Sequence, residues 1–286
     1  MRTALWESDN GRTIRLGHEP PFLLANLDGN IMQGRAEAVT PPRSDGEYTA
    51  FLTNGPRTIN ITGSIIAYGN KTYPAQTALD DLKSGLCEAF NPKYFGRLTY
   101  YSEAGGRSIR CRPAALPSFE KRAVNTHAFD IDLRSDSSVW EGAEEITVTL
   151  GDYKKLFRFP WHVSGTVFGY SVKTARVLNR STEDIYPVVE VSPTADLVTV
   201  SNKTTGRFIS VTRPIRQGQR LVIDMREYSA VIHSENGSSS DVSFWLTPDS
   251  EYFPLAPGIN IITVENENPN ETPVTRIRYR PPYMGV

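Results

Sequence analysis

Hydrophobic and polar residues alternate along most of this chain with a period of two, which is typical of β-strands that bury one face. Phe129, Ile131 and Leu133, for example, alternate with Asp130 and Asp132 and predict a strand with one wet face. From residue 201 onward, such segments follow one another with turn residues between them. The pattern predicts a mainly β protein.

Turn residues predict how several strands pair. Thr204-Thr205-Gly206 separates two alternating segments, and because glycine accepts a positive φ, we expect a hairpin there. Gly105-Gly106 joins two further strand segments in the same way. In Leu255-Ala256-Pro257-Gly258 the proline presets φ and the glycine permits the left-handed position, which predicts a type II turn before the next strand.

One helix is predicted, from Gln76 to Phe90. Its apolar residues recur at spacings of three and four and face one side: Leu79, Leu82, Leu86 and Phe90. Thr77 with Asp80 predicts an N-terminal cap, and Asn91-Pro92 ends the helix because the residue before proline avoids the α region. Gly85 weakens the helix by about 1 kcal/mol relative to alanine, so we expect packing against a sheet to stabilise it.

The segment from His18 to Gly55 is interrupted by proline- and glycine-containing turns and predicts an extended arm or hairpin. An arm too long to pack on its own domain packs on a neighbour, so we expect oligomer contacts here, the alternative being an ordinary surface loop. The candidate interface residues are Pro20, Phe22, Leu23, Leu27, Pro41, Tyr48 and Phe51.

The chain changes character after Trp140, where a charged stretch with glycines leads to a boundary that we predict near Gly151. Residues 1–150 would form an N-terminal β domain with the arm (18–55) and the helix (76–90). Residues 151–286 would form a C-terminal β-sandwich, because strands at roughly ten-residue intervals are typical of sandwiches and jelly rolls.

Composition excludes several classes of function. The 286 residues carry a net charge of −1 with both signs interspersed, which argues against a nucleic-acid-binding face. No segment approaches the roughly 20 apolar residues of a membrane-spanning helix, and the first residues lack the apolar core of a signal peptide. We therefore expect no membrane partner and folding in a cytosol, where Cys87 and Cys111 remain free thiols.

Catalytic and cofactor motifs are not recognised, so the prediction is a protein that is not an enzyme and has no cofactor or metal. The four histidines lie far apart in the sequence. The acidic pair Asp130 and Asp132 is interpreted as a solvated strand face rather than as a glycosidase pair.

Two surface features have more than one interpretation. Trp161, Trp245 and Tyr252 are candidates for stacking on a saccharide, and if Phe244 and Trp245 lie in a strand, one points inward and the other outward; the alternative is packing or an edge cover. Separately, an alternating row predicts either an anionic docking strip or a solvated edge that deters strand pairing: Arg276, Arg278 and Arg280.

A colinear series of segments resembles the distal tail protein family of long-tailed, siphovirus-type bacteriophages. The series contains Asn-x-Thr-Thr-Gly at 202–206, Gly-x-x-Leu-x-Ile-Asp at 218–224, Leu-x-Pro-Gly-x-Asn at 255–260 and Tyr-x-Gly-Val at 283–286. Upstream segments extend the resemblance over nearly the whole chain. Residues 135–140 depart from the family pattern, since they lack the usual Asp-Pro before the aromatic residue.

The resemblance implies a structural virion protein. Its N-terminal domain would form a homohexameric ring that joins the tail tube protein to the tail-tip or baseplate hub protein. Its C-terminal domain would resemble galectin-like and carbohydrate-binding modules and hold receptor-binding components. Such a protein is made and assembled in the bacterial host cytoplasm and ends in the tail tip of the virion. The alternative function is a carbohydrate-binding module that recognises host cell-wall polysaccharide through the sandwich.

Overall fold

The structure, a computed structural model, describes residues 2–40, 45–69, 74–151, 153–157, 168–171, 174–267 and 273–286. The chain divides into two compact units. The first, or N-terminal unit, holds residues 1–143 together with 282–286, and the second, or C-terminal unit, holds residues 144–281. These units differ from the predicted ranges in two places: residues 144–150 lie in the second unit, and the last residues of the chain lie in the first.

The N-terminal unit is one large antiparallel sheet with a single helix. Its elements are β1 (Thr3–Ser8), β2 (Thr13–Leu16), β3 (Phe22–Val39), β4 (Tyr48–Ile66), α1 (Ala75–Ala89), β5 (Gly96–Ser102), β6 (Gly105–Pro113), β7 (Ser118–Ala123), β8 (Thr126–Ser135) and β9 (Trp140–Gly142). The main path runs β2-β1-β5-β6-β8-β4-β3, while β7 pairs with β8 and β9 pairs with β6. The predicted hairpin at Gly105-Gly106 is confirmed, since Ser102 pairs with Gly105.

The core of this unit lies between the sheet and α1. Phe129, Ile131 and Leu133 of β8 are buried, as their alternation predicts. The Trp6 and Phe90 rings stack with centroids 5.0 Å apart, and the Trp6 indole donates a hydrogen bond to the carbonyl of Ala89. The helix is therefore attached to the sheet through its C-terminal turn.

The helix confirms the predicted apolar face but not the predicted cap. Leu79 and Leu86 are buried and Leu82 packs against the same core. The N-cap residue is Pro74, and no side chain caps the first turn; the Thr77–Asp80 cap is wrong because the helix begins at Ala75 and Thr77 already lies inside it. Within the described part of the chain, no helix is long and apolar enough to cross a membrane.

The C-terminal unit is a sandwich of two antiparallel sheets. Its elements are β10 (Ile146–Leu150), β11 (Tyr153–Phe157), β12 (Phe168–Ser171), β13 (Thr174–Asn179), β14 (Val188–Ser192), β15 (Val198–Asn202), β16 (Arg207–Val211), β17 (Gln219–Asp224), β18 (Ser229–Ser234), β19 (Ser239–Asp241), a 3₁₀ turn (Ser243–Trp245), β20 (Gly258–Asn266) and β21 (Val274–Tyr279). One sheet runs β10-β21-β14-β17-β18-β19 and the other β13-β20-β15-β16, while β11 pairs with β12.

Buried aliphatic residues from both sheets form the sandwich core. Val189 and Val191 of β14 face Val200 of β15 and Ile262 of β20 within one apolar cluster. The predicted mainly β fold is confirmed, whereas the likeness to galectin-like modules remains a prediction. Both predicted turn glycines have the positive φ that the sequence requires: Gly206 at 77° between β15 and β16, and Gly258 at 96° where β20 begins.

The final residues return to the N-terminal unit, which the sequence did not predict. A short strand, β22 (Pro282–Tyr283), pairs with β9. The Arg107 guanidinium lies 4.6 Å from the Tyr283 ring centroid and donates a hydrogen bond to the Gly285 carbonyl. Val286 packs against the N-terminal core.

Arg57 joins these last residues to the hairpin of β3 and β4. Its side chain is buried, and burial lowers the pKa of its guanidinium. The guanidinium donates hydrogen bonds to three backbone carbonyls: those of Gly29, of Ser138 at 2.7 Å and of Met284 at 2.7 Å. Among the described residues, none of the ion pairs involves Arg57. This group of contacts is called the Arg57 junction below.

We expect Arg57→Met to lower the free energy of unfolding by about 3 kcal/mol, because all three carbonyls would lose their charged donor and that of Gly29 would stay buried. Chemical denaturation monitored by tryptophan fluorescence measures this change. Arg134→Met is the matched control, since Arg134 lies exposed on the neighbouring strand β8. Equal stability of the two variants would contradict the structural role of the junction.

Gly85→Ala is expected to raise the free energy of unfolding by about 0.5 to 1 kcal/mol, since alanine lowers the entropy of the unfolded chain and favours the helix. The substitution is clean because no atom lies within 4 Å of the position that its Cβ would occupy. Thermal denaturation by circular dichroism checks this result. A lower melting temperature would mean that the helix does not tolerate a side chain there.

Candidate functional site

The arm is the hairpin of β3 and β4, which pair antiparallel from Phe22 opposite Ile65 to Val39 opposite Tyr48. Its base belongs to the large sheet, because β4 also pairs with β8 from Arg57 to Ile66. Beyond the base, the described residues of 34–40 and 45–54 are all exposed. These two stretches are called the outer arm. The predicted extended arm or hairpin is confirmed as a hairpin.

Large apolar side chains of the outer arm face water. Tyr48 is 56% exposed, Phe51 67% and Leu52 77%. Adjacent strand residues point to opposite faces, so Phe51 and Leu52 place apolar groups on both faces of the ribbon. An isolated two-stranded ribbon is only marginally stable in water, and exposed apolar surface of this kind is typical of a protein contact.

The predicted interface residues separate into three groups. Phe22 and Leu27 pack in the core of their own unit, and Leu23 is half-buried beside them. Pro20 is exposed before the arm, and Tyr48 and Phe51 lie on the outer arm. Pro41 lies outside the described residues. The residues available for contact with another molecule are therefore those of the outer arm, and Leu52 joins them although the sequence did not single it out.

The predicted aromatic pair of the C-terminal unit has a different backbone from the one expected. Phe244 and Trp245 lie in the 3₁₀ turn rather than in a strand, so the prediction that one points inward is wrong: Phe244 is 98% exposed and Trp245 50%. The reason is local, since the Asp241 carboxylate accepts the Ser243 backbone N–H at 2.8 Å and the Trp245 N–H bonds the Val242 carbonyl. Trp161 lies outside the described residues.

Tyr252 lies next to this turn. Its ring packs against Tyr228 in an edge-on arrangement with centroids 5.4 Å apart. Burial raises the pKa of Tyr252, and the negative charge of Asp241 acts in the same direction. The structure therefore brings Trp245 and Tyr252 into one neighbourhood and adds Tyr228 and Phe244 to it.

The arginine row of β21 is not at a sheet edge. β21 lies between β10 and β14, so the interpretation as an edge that deters strand pairing is wrong. The position of β21 in the sheet depends on strands that are distant in the sequence, and the local pattern carries no information about them. Glu190, which is largely buried, lies within 4.0 Å of three guanidinium groups, those of Arg220, Arg276 and Arg278. Glu190, together with Glu145 at Arg278, offsets part of the positive charge of this face.

The paired acids and the two thiols have surroundings typical of structural residues. The Asn60 amide donates hydrogen bonds to Asp130 at 2.6 Å and Asp132 at 2.9 Å, so both acids have a structural partner. Cys87 and Cys111 are free thiols, and burial raises the pKa of Cys111, which keeps that thiol protonated. The described residues contain no group of three or more His, Cys, Asp or Glu side chains arranged to hold a metal ion.

Comparison with known proteins gives three kinds of result. Residues 180–283 match the model of the siphovirus-type tail component, C-terminal domain. Among curated proteins there is no significant match. The solved structures provide whole-chain similarities.

The Dit protein of phage SPP1, described as a paradigm of the hub adsorption apparatus in phages that infect Gram-positive bacteria, superposes with a TM-score of 0.66 at 13% identity, covering 99% of both chains. A chain of the phage p2 baseplate in its activated conformation with Sr gives a TM-score of 0.56 at 10% identity, covering all of both chains. The same baseplate with Ca gives 0.54 at 9% identity, again over both whole chains.

These similarities agree with the resemblance found in the sequence. At such identities the superpositions establish the fold alone, and the match to the family model is confined to residues 180–283. The chain thus has the fold of the SPP1 Dit protein over its whole length, and residues 180–283 are similar to the C-terminal domain of siphovirus-type tail components.

Proposed function

We propose that this chain is a structural protein of the distal end of a phage tail, where six copies form a ring that joins the tail tube to the tail-tip or baseplate proteins. The outer arm is the observation that carries the proposal. Its large apolar side chains are exposed and lie on both faces of the ribbon. The similarity to hub and baseplate proteins supports the same function.

The ring closes by a heterologous contact. The outer arm of one copy packs on a different surface of the next copy, and repetition of the same pair of surfaces around an axis gives a closed ring. Burial of one Phe or Leu side chain contributes about 1.5 to 3 kcal/mol, so the exposed residues of each arm supply much of the stability of one contact.

The proposed partners follow from this position. The N-terminal units contact one another and the tail tube protein, and the tail-tip or baseplate hub protein attaches to the ring. The C-terminal units hold receptor-binding or accessory proteins. The protein is made and assembled in the bacterial host cytoplasm and then resides in the tail tip of the virion.

The first prediction concerns the outer arm as a whole. Gly34 pairs with Asn54, so residues 35–53 can be replaced by Asn-Gly, a two-residue turn that closes a shortened hairpin. Light scattering over a range of concentrations should give a species near six times the 31.9 kDa chain mass for the parent and a monomer for the shortened chain. A wider deletion from Pro20 is unsuitable because it removes Phe22 from the core.

The shortened chain should keep the unfolding transition of the parent, since the described residues of the excised range, 35–40 and 45–53, are all exposed. A ring-sized species that survives the excision would contradict the role of the arm. A parent chain that stays monomeric at every concentration would contradict assembly from this chain alone.

A second prediction uses point substitutions. Phe51→Ser with Leu52→Ser should raise the concentration at which rings form by about tenfold or more, because two apolar contacts are lost at each interface. Val124→Ser is the matched control, since Val124 is 73% exposed in the same unit but lies in the turn after β7. Mass photometry of the three chains measures the change, and an equal effect of the control would show that exposed apolar area in general drives association.

A further inference from the structure

Four aromatic residues lie in or beside the 3₁₀ turn of the C-terminal unit and are called the aromatic cluster below: Tyr228, Phe244, Trp245 and Tyr252. Tyr252 is half-buried and packs on the sandwich core, whereas the other three are exposed. Tyr228 and Tyr252 are in ring contact, and Tyr252 lies beside Asp241, which bonds the turn that carries Phe244. Exposure is greatest at Phe244, where 98% of the residue surface is open to water, and Tyr228 is 64% exposed. Water thus surrounds a complete phenyl group.

The turn that carries Phe244 is held from both sides. The Val242 N–H donates to the Ala230 carbonyl of β18, and Val242 itself is fully buried. On the other side, the Trp245 carbonyl accepts two hydrogen bonds from Thr212, one from the backbone N–H at 2.8 Å and one from the hydroxyl at 2.9 Å. The backbone of Phe244 is therefore ordered before any partner binds.

Preorganisation changes what this residue contributes to binding. A rigid backbone leaves only two side-chain torsions to be fixed, so little conformational entropy is lost on association. Full burial of a phenylalanine ring is worth roughly ten- to a hundredfold in a binding constant. Aromatic residues that enter a desolvated pocket at the centre of an interface are the usual hot spots.

Shape and charge indicate the kind of partner. Phe244 projects as a single ring exposed on all sides, which suits insertion into a socket of matching size. A saccharide would need a flat ring face with polar side chains at its rim. Asp241 stays ionised beside the cluster, because hydrogen bonds from Ser243 lower its pKa. A partner with a cationic side chain at the edge of its socket would match this charge.

We propose that Phe244 is the anchor of a protein-docking site on the C-terminal unit, inserting into an apolar socket with a basic rim on a different tail protein. The proposal rests on the proposed function in one respect, since it takes the partner from the proteins of the same tail. To the proposed function, this inference adds the residue that makes the contact, Phe244, and the chemistry of the partner surface that binds it.

The experiment uses the full chain and the receptor-binding and tail-tip proteins encoded with it, each expressed and purified separately. Binding is measured by biolayer interferometry for the parent, for Phe244→Ser and for Ile259→Ser. Ile259 is the matched control, because it is 56% exposed on the same unit but lies on β20 of the other sheet. One of the purified proteins should bind the parent, and Phe244→Ser should weaken that binding by about thirtyfold or more, with Ile259→Ser unchanged.

A second substitution tests the charge. Asp241→Asn should weaken the same complex by a few-fold and reduce its dependence on salt, since it removes the charge that attracts the basic rim. Because this change also alters a bond to the turn, circular dichroism must show an unchanged fold. An unchanged salt dependence would overturn the basic rim.

Two other binding partners of the aromatic cluster would give different results in these experiments. Self-association of the chain that Phe244→Ser abolishes would assign the cluster to a second copy. Binding of purified host cell-wall polysaccharide that is lost in Trp245→Ala but kept in Phe244→Ser would assign it to a saccharide. Either result, or equal binding of all variants, or no binding by any purified tail protein, overturns the proposal. Ring formation is read independently by light scattering, and Phe244→Ser chains should form rings as the parent does.

Discussion

The N-terminal unit depends on one buried guanidinium. Arg57 reaches carbonyls from three separate segments: Gly29 in the first strand of the arm, Ser138 after β8, and Met284 at the end of the chain. A buried charge is stable only while its donors all have acceptors. The three segments must therefore be in place together, and the base of the arm is fixed by contacts outside its own hairpin. An arm that is fixed at its base can present the outer residues in one direction, whereas a free ribbon could not.

The sequence predicted the parts of this fold that alternation and turn chemistry specify. Phe129, Ile131 and Leu133 lie on one buried face, and Gly206 in its turn and Gly258 at the start of β20 have the positive φ that glycine permits. The arm could also be predicted, because proline- and glycine-containing turns interrupt residues 18–55 and the segment is too long for an ordinary turn. Strand alternation and turns of this kind can be predicted from sequence because they depend only on residues that are neighbours in the chain.

Features set by distant partners could not be predicted in this way. Arg57 has the appearance of a polar strand residue, and only the fold places carbonyls from residues 29, 138 and 284 around it. β21 became an internal strand because β10 and β14 pair on either side of it. Phe244 and Trp245 follow a short strand and are apolar, so a strand was the natural prediction, yet the hydrogen bond from Ser243 to Asp241 turned the backbone. For the same reason the candidate site was predicted only in part: Tyr48 and Phe51 were named as interface candidates and are exposed on the outer arm, whereas Leu52 and the exposure of Phe244 were not predicted.

The two candidate surfaces differ in how they gain strength. In the proposed assembly, the outer arm is an exposed ribbon that gains stability from its partner, so the free-energy cost of ordering the ribbon is part of each contact. The turn at Phe244 is ordered beforehand and contributes one compact contact. In the same proposal, one phenyl group in a socket gives modest affinity, but copies of the chain in a closed hexamer present that contact several times, and the effective concentration of the second and later contacts multiplies the total. Strong attachment of peripheral tail proteins would then require closure of the hexamer first, so the proposed contact of the arm precedes that of the aromatic cluster.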